Sequence, residues 1–524
     1  MYEGSVCIYA APTSVGQALS QARGYVVADA HARFRRTSGR SSPLRAYPEP
    51  DASQLALLNR LGIGLDDGAA ASAGAPGALD ELIDPLLCRA ADGSEQAPLL
   101  RVSAYSGENE RRLDDLGWPS TALADQRSLL GRVDGVEFEM STNIGSKLTV
   151  FTEDPDAIGQ AEFVLVSPSY PGVAELVDAS QADDLDRLAS RALAFQRDPA
   201  LPAQGAVEAL PVQGCAYLPT EQRLLPLAIS PIVDLSYGEG AVLGLPERDD
   251  RHRQIAAGLH PAPPLKLRVR APLVPRPAAR FRPILLPLAE VDQSREPVSQ
   301  LVFAPDAALL VLGRRSLAKA LRDLDPAEDG DGEPFPRARL YGNIGGDARA
   351  DLIAMIEEEG ADATRFALLY AARPERGLSW RPAILRECAA FLSRFRGYAE
   401  SRLRDWHSAA VPDRPEDSNP LRRRLAFWCA TGLRRSIENH AALDMHLATR
   451  NARRLFERIV VFEERAGAIP SGLAESDRAA IFSSLLLNLQ LLAPLAPGIS
   501  TELWEGAGQA SPISTAPWRE PGLA

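Results

Sequence analysis

Residues 12–34 read PTSVGQALSQARGYVVADAHARF. Taken with residues 5–45 around it, the stretch spells a strand, a Gly-containing turn and an amphipathic helix, a frame suited to opening a nucleotide-binding domain. The first thirty residues contain neither histidine nor lysine, the side chains that most often grip a phosphate. The frame is present without the usual ligands.

Outward from that stretch, the composition sets bounds. A chain of 524 residues with 45% hydrophobic and 24% charged residues has room for two to four domains, each with its own core. No apolar run is long enough to span a bilayer, and the opening residues carry no basic stretch followed by an apolar one, so neither a membrane anchor nor an export leader is expected. Cys7, Cys88, Cys215, Cys388 and Cys429 lie far apart without a C-x-x-C pair. Such spacing reads as reduced thiols in a cytoplasmic protein, with no metal site. Lys147, Lys266 and Lys319 are the lysines among 57 basic residues, so beyond Lys319 no chemistry can rest on a lysine.

Along the chain, residues 65–80 (LDDGAAASAGAPGALD) read as a loop. Residues 99–131 read as a helical passage broken at Trp118–Pro119. Between 132 and 250, GVEFEM, KLTVFTE, AEFVLVSP and AVLGLP alternate as strands do. A Pro-rich connection follows over 258–290. Helical periodicity returns over 298–325 and 347–370, and nearly everything from 381 to 505 is helical, with breaks at 408–420 and 466–472.

Several segments, in this order, match one family. The chain resembles leucyl-tRNA synthetase, a class I aminoacyl-tRNA synthetase. In the opening stretch Arg23, Tyr25, Asp29, Ala32, Arg33 and Phe34 sit where the family's first motif places them. LDDLGWPSTALADQRSLLGRVDGVE resembles the passage into the editing insertion. KLTVFTEDPDAIG and YGEGAVLGLPERDDRHRQIA resemble two segments of the editing pocket. EPFPRARLYGNI, GADATRFALLYAARPERGLSW and LLAPLAPGISTELWE resemble the later core, stem-contact and anticodon-binding regions.

The resemblance implies an α/β fold. It would have a reduced Rossmann-like core over 1–130 and 263–345, a β-rich editing-like insertion over 131–262 and a helical anticodon-binding-like bundle over 346–520. It also implies a site whose chemistry has been altered. In the family two histidines of H-x-G-H and a mobile-loop lysine stabilise charge on the triphosphate during amino-acid activation. Here Ala18, Leu19, Ser20 and Gln21 occupy the four positions, and the loop segment 345–359 (GGDARADLIAMIEEE) has no lysine. In FAPDAALLVLGRR Asp306 remains, but Ala307 and Val311 stand where the family has histidines. The expectation is a protein defective in leucine activation and editing and retained for binding, with no cofactor; the alternative is an ATP-dependent aminoacyl-tRNA ligase or an amino-acid-activating enzyme with a non-tRNA acceptor, in which case ATP and magnesium enter.

The editing-like pocket is altered in the same manner. Thr152 and Asp156 keep family positions, whereas Glu153, Asp154 and Ala157 depart from them. Asp249 matches a family Asp, and His252 stands where the family's ammonium-binding acid would be. An imidazole cannot replace a carboxylate opposite an ammonium. The plainer readings are that Ser20–Gln21 satisfy a helix N-terminus, that His252 is a surface or loop histidine and that Asp249–Asp250–Arg251 pair locally in a solvated turn.

One charge feature stands above the background. Residues 381–465 hold 17 arginines against 11 Asp and Glu, a net of +6 in a chain whose total is −12, so the remainder carries −18. A basic helical region on an acidic body fits contact with a tRNA backbone. The expected contacts are Arg422, Arg423, Arg424, Arg434, Arg435, Arg450, Arg453 and Arg454. A protein partner is the other expectation.

Overall fold

The computed structural model describes residues 5–9, 18–39, 43–48, 50–65, 87–88, 99–197, 207–233, 240–263, 273–282, 284–288, 291, 298–324, 332–345, 352–373, 375–406, 419–468 and 472–518. The turn at 10–17, almost all of the 65–80 loop, Lys266 and residues 346–351 lie outside these.

The quoted stretch supplies the helix Ala18–Thr37. It follows the strand Ser5–Tyr9 and leads to Leu44–Tyr47, which pairs parallel with that first strand. This is the β-α-β unit expected of the frame. Val298–Phe303 joins the other side of Ser5–Tyr9, and Ala338–Leu340 lies beyond it, all parallel. Val298–Phe303 corrects the sequence reading, which took residues 298–325 as helix. All six of its residues are buried. A parallel strand covered on both faces has no inside–outside alternation to read, and VSQLVF spaces Val298, Leu301 and Val302 as a helix would, so periodicity could not separate it from the helix Ala308–Leu324 behind it.

The chain leaves this core and returns through a short antiparallel pairing of Leu99–Arg101 with Leu285–Pro287. Leu99–Arg101 is thus a strand, where the sequence suggested helix, and helical structure begins after it. The break at Trp118–Pro119 does separate the helices Ser106–Leu113 and Ser120–Leu130. Beyond lies a seven-stranded mixed sheet, the β-rich region anticipated over 132–250. Its edge strand Arg276–Arg280 pairs with Val133–Ser141, so the Pro-rich connection contributes a strand and the sheet runs past residue 262. Phe138, Val150, Val164, Leu227 and Leu243 fill its own core.

Among the described residues from 382 onward there are five helices: Pro382–Asp405, Pro420–Ala441, Met445–Gly467, Glu475–Leu492 and Pro497–Gly506. Their core is continuous with that of the Ala18–Thr37 helix, from Val26 and Ala30 through Phe366 and Phe395 to Leu486. Lys319, the last lysine, is fully buried and shares the Glu333 carboxylate with Arg315. It serves packing, and burial pulls its pKa down. No described helix is long and apolar enough to cross a membrane.

Candidate functional site

Strands Ser5–Tyr9, Val298–Phe303 and Ala338–Leu340 end on the same side of the parallel sheet, where ligands of open α/β folds bind. Several of the described residues gathered there are held by protein contacts. Leu19 and Ser20 are buried, and the Ser20 hydroxyl accepts the Ile344 N–H at 2.8 Å. The expected satisfied helix start therefore has a different partner, a backbone group more than three hundred residues away. Ala18 begins the helix, and Gln21 is half-buried and engaged.

Gly24, one turn on, faces Tyr341. A Cβ at Gly24 would lie 2.5 Å from that ring, so the helix admits the tyrosine only because this residue has no side chain. The Tyr341 hydroxyl is buried without a partner among the described residues. Arg23, 1% exposed, binds four carbonyls: Gly342 at 3.3 Å, Arg376 at 2.9 Å, Ala372 at 3.0 Å and Arg373 at 2.7 Å. Burial pulls its pKa down to about 10, partly offset by Glu375. Asp29 bonds Arg33 at 2.8 Å and the buried Arg365 at 2.6 Å. Arg365 also reaches the carbonyls of Leu61 and Pro494, tying the core to the C-terminal helices. Ala307 and Val311 pack with Tyr9, Phe303 and Phe335, while Asp306 stays exposed.

In the seven-stranded sheet, Lys147–Thr152 and Ala241–Gly244 run parallel as neighbours, which brings the two editing-like segments to one end. The Thr152 hydroxyl donates to the Asp154 carbonyl and accepts the Asp154 N–H, both at 3.2 Å. Asp154 caps the turn Pro155–Gln160 and pairs with Arg248, joining the two segments. Asp156 is exposed. Asp249 caps the helix Asp250–Ala256 and pairs with Arg251 at 2.9 Å, which with its other bonds holds its pKa near 2. Asp250 pairs with Arg253, so the local pairing anticipated here is present. His252 Nδ1 accepts the Leu245 N–H at 3.1 Å, and its ring meets Phe163 edge-on. An accepting Nδ1 requires the neutral imidazole, and burial lowers the pKa in the same sense.

The arginines divide into two groups. Arg422 is 19% exposed and pairs with the buried Asp477 at 2.7 Å; Arg453 is 27% exposed and pairs with Glu387 at 2.6 Å. Arg423, Arg424, Arg434, Arg435, Arg450 and Arg454 are exposed on Pro420–Ala441 and Met445–Gly467. None of these six forms an ion pair with a described residue. The two helices run antiparallel: Asn451 reaches the Gly432 carbonyl at 2.7 Å, and Arg458 covers the Trp428 ring at 4.5 Å. Arg424 covers the same ring at 5.0 Å. Beside Trp428, Phe427 is 60% exposed.

Sequence reasoning missed Phe427, Arg458 and the tyrosine facing Gly24. A signal for the first was available in the Phe427–Trp428 pair, which begins three positions after the run Arg422–Arg423–Arg424. No group of acidic, histidine or cysteine residues suited to a metal occurs among the described residues.

Residues 127–260 match the family described as leucyl-tRNA synthetase, editing domain. The leucine--tRNA ligase of Chlamydia caviae is 30% identical over 158 residues, 30% of this chain and 19% of the relative. That of Parasynechococcus marenigrum is 33% identical over 165 residues, again 30% of this chain and 19% of the relative. The matched part thus spans about a fifth of these relatives' length. Among solved structures, the agnB2 LeuRS of Agrobacterium radiobacter K84, in a ternary complex with tRNA and LeuAMS, has a TM-score of 0.68 at 16% identity. That likeness covers 99% of this chain and 87% of the other, and it is one of fold.

Proposed function

The chain is a relative of the leucyl-tRNA synthetases, and from that premise we propose that it binds tRNA through its C-terminal helices without activating leucine. The carrying observation is that six of the eight expected arginines stay exposed on two antiparallel helices, in a chain whose remainder is acidic. Guanidinium groups bind phosphate oxygens as a fork, and an acidic body confines an RNA backbone to the basic face. That the solved relative of like fold was captured with tRNA supports the same reading.

The absence of activation rests on the crevice. Charge on a reacting triphosphate needs cations or donors already aimed at it. Ser20 Oγ is engaged with Ile344, Arg23 with four carbonyls, and Tyr341 packs on the helix at Gly24. The editing-like region supports non-hydrolytic behaviour likewise, since Thr152 bonds the Asp154 backbone, Asp154 caps a turn, Asp249 caps a helix and His252 accepts a backbone N–H.

A fluorescence titration with bulk tRNA at two salt concentrations tests the binding. Affinity should fall steeply with salt, by roughly 0.9 in logarithmic slope for each phosphate neutralised. The double change Arg450→Glu, Arg454→Glu should flatten that slope while the thermal melt stays in place. Arg453 is left alone because its ion pairs serve the fold. Absence of binding at low salt would move the proposal to a protein partner.

A further inference from the structure

We infer that Phe427 is a stacking platform for an unpaired RNA base, an inference that rests on the RNA-binding reading of this helical face. A phenylalanine 60% exposed on a helix offers an apolar ring face whose covering would be favourable. Its setting selects the cover. The helix Pro420–Ala441 buries Leu425, Cys429, Gly432, Leu433, Ser436 and His440, which places Phe427 near the middle of the opposite face. Arg423 and Arg424 sit one turn before it, and Arg434 two turns after it, on that same face. A protein surface seeking an apolar contact would meet uncompensated cations around it. An RNA loop offers both complements, phosphates for the guanidiniums and the flat face of a base for the ring.

The neighbouring tryptophan is arranged differently. Trp428 is half-buried, and its ring already carries Arg424 at 5.0 Å and Arg458 at 4.5 Å. Its faces are occupied by cations, which it holds at the surface of both helices. Phe427 has no cation over its ring among the described contacts and remains open for a base. Duplex RNA keeps its bases stacked inside, so the platform serves single-stranded loops or ends.

The test compares the 524-residue protein with Phe427→Ala, Phe427→Trp and the double change Arg423→Glu, Arg434→Glu. The probes are a short fluorescein-labelled single-stranded RNA and its matched duplex. Phe427→Ala should weaken single-strand binding by roughly five- to a hundredfold, the range of one base–aromatic stack, with an unchanged salt slope. Duplex binding should not move, and Phe427→Trp should restore the single-strand affinity. The arginine double change should weaken both probes and flatten the salt slope. If Phe427→Ala leaves single-strand affinity intact while the arginine change abolishes it, the stacking role is overturned and the RNA reading stands. If neither probe binds at low salt, both are overturned and Phe427 belongs to a protein-docking surface.

Discussion

Asp29 shows what single residues do in this molecule. Its carboxylate is buried with Arg365 and accepts from both Arg365 and Arg33. Removing it leaves the Arg365 guanidinium inside the protein with carbonyls but no counter-charge. Breaking a buried pair in this way costs about 3–5 kcal/mol, because one desolvated charge remains uncompensated. Asp29→Ala should therefore lower the urea midpoint strongly. A shift below about 1 kcal/mol would show that water reaches Arg365 and that the pair is not the tie described. At this scale the sequence was informative about identity and silent about partners. Arg23, Asp29 and Arg33 stood out in the first motif, and Arg365 lay inside a second quoted segment. Nothing local says that residue 29 meets residue 365, or that Ser20 meets residue 344, since these bonds close over three hundred intervening residues.

At the scale of elements, the helix Ala18–Thr37 meets Pro420–Ala441 through two histidines. The His31 Nδ1 lies 2.9 Å from the His440 carbonyl, which can only accept, so that nitrogen carries the proton. The His440 ring stacks on Phe34 at 4.4 Å, and neither of its nitrogens has a partner among the described residues. Burial depresses both, His31 to about 4 and His440 to about 3, with Arg35 and Arg337 adding to the effect on His31. The unfolded chain binds protons near the ordinary value of 6.5, where the native state refuses them. The contribution to stability is thus complete above that value and is lost as pH falls towards the folded-state values. Each histidine should supply a slope of about 1.4 kcal/mol per pH unit over that window. Denaturant melts across mildly acidic pH should show it, and His31→Gln with His440→Asn should flatten the dependence. Equal slopes in the variant and the parent would place the acid sensitivity elsewhere. The junction was illegible in the sequence because neither histidine has another at a recognisable spacing. Local pairing within Asp249–Asp250–Arg251 was legible, since Arg251 is two residues from Asp249, whereas the cap that Asp249 makes on the helix Asp250–Ala256 was not read.

Across the whole molecule, charge and topology are divided between two parts. The β-rich insertion and helical C-terminal region were visible as changes of periodicity, whereas Val298–Phe303 was hidden by its complete burial. The basic stretch was visible as a count, but only the structure separates Arg422 and Arg453, used in packing, from the six arginines left exposed. The central claim is that the crevice of the parallel sheet holds domains together while the helical face holds RNA. ATP–pyrophosphate exchange with leucine and magnesium, run on protein already saturated with tRNA, tests it most directly. The account predicts no leucine-dependent exchange above that of heat-inactivated protein, because Ser20 and Arg23 at the crevice are committed to protein contacts and Tyr341 packs on the helix at Gly24. Leucine-dependent exchange that rises with the amount of folded protein would contradict it.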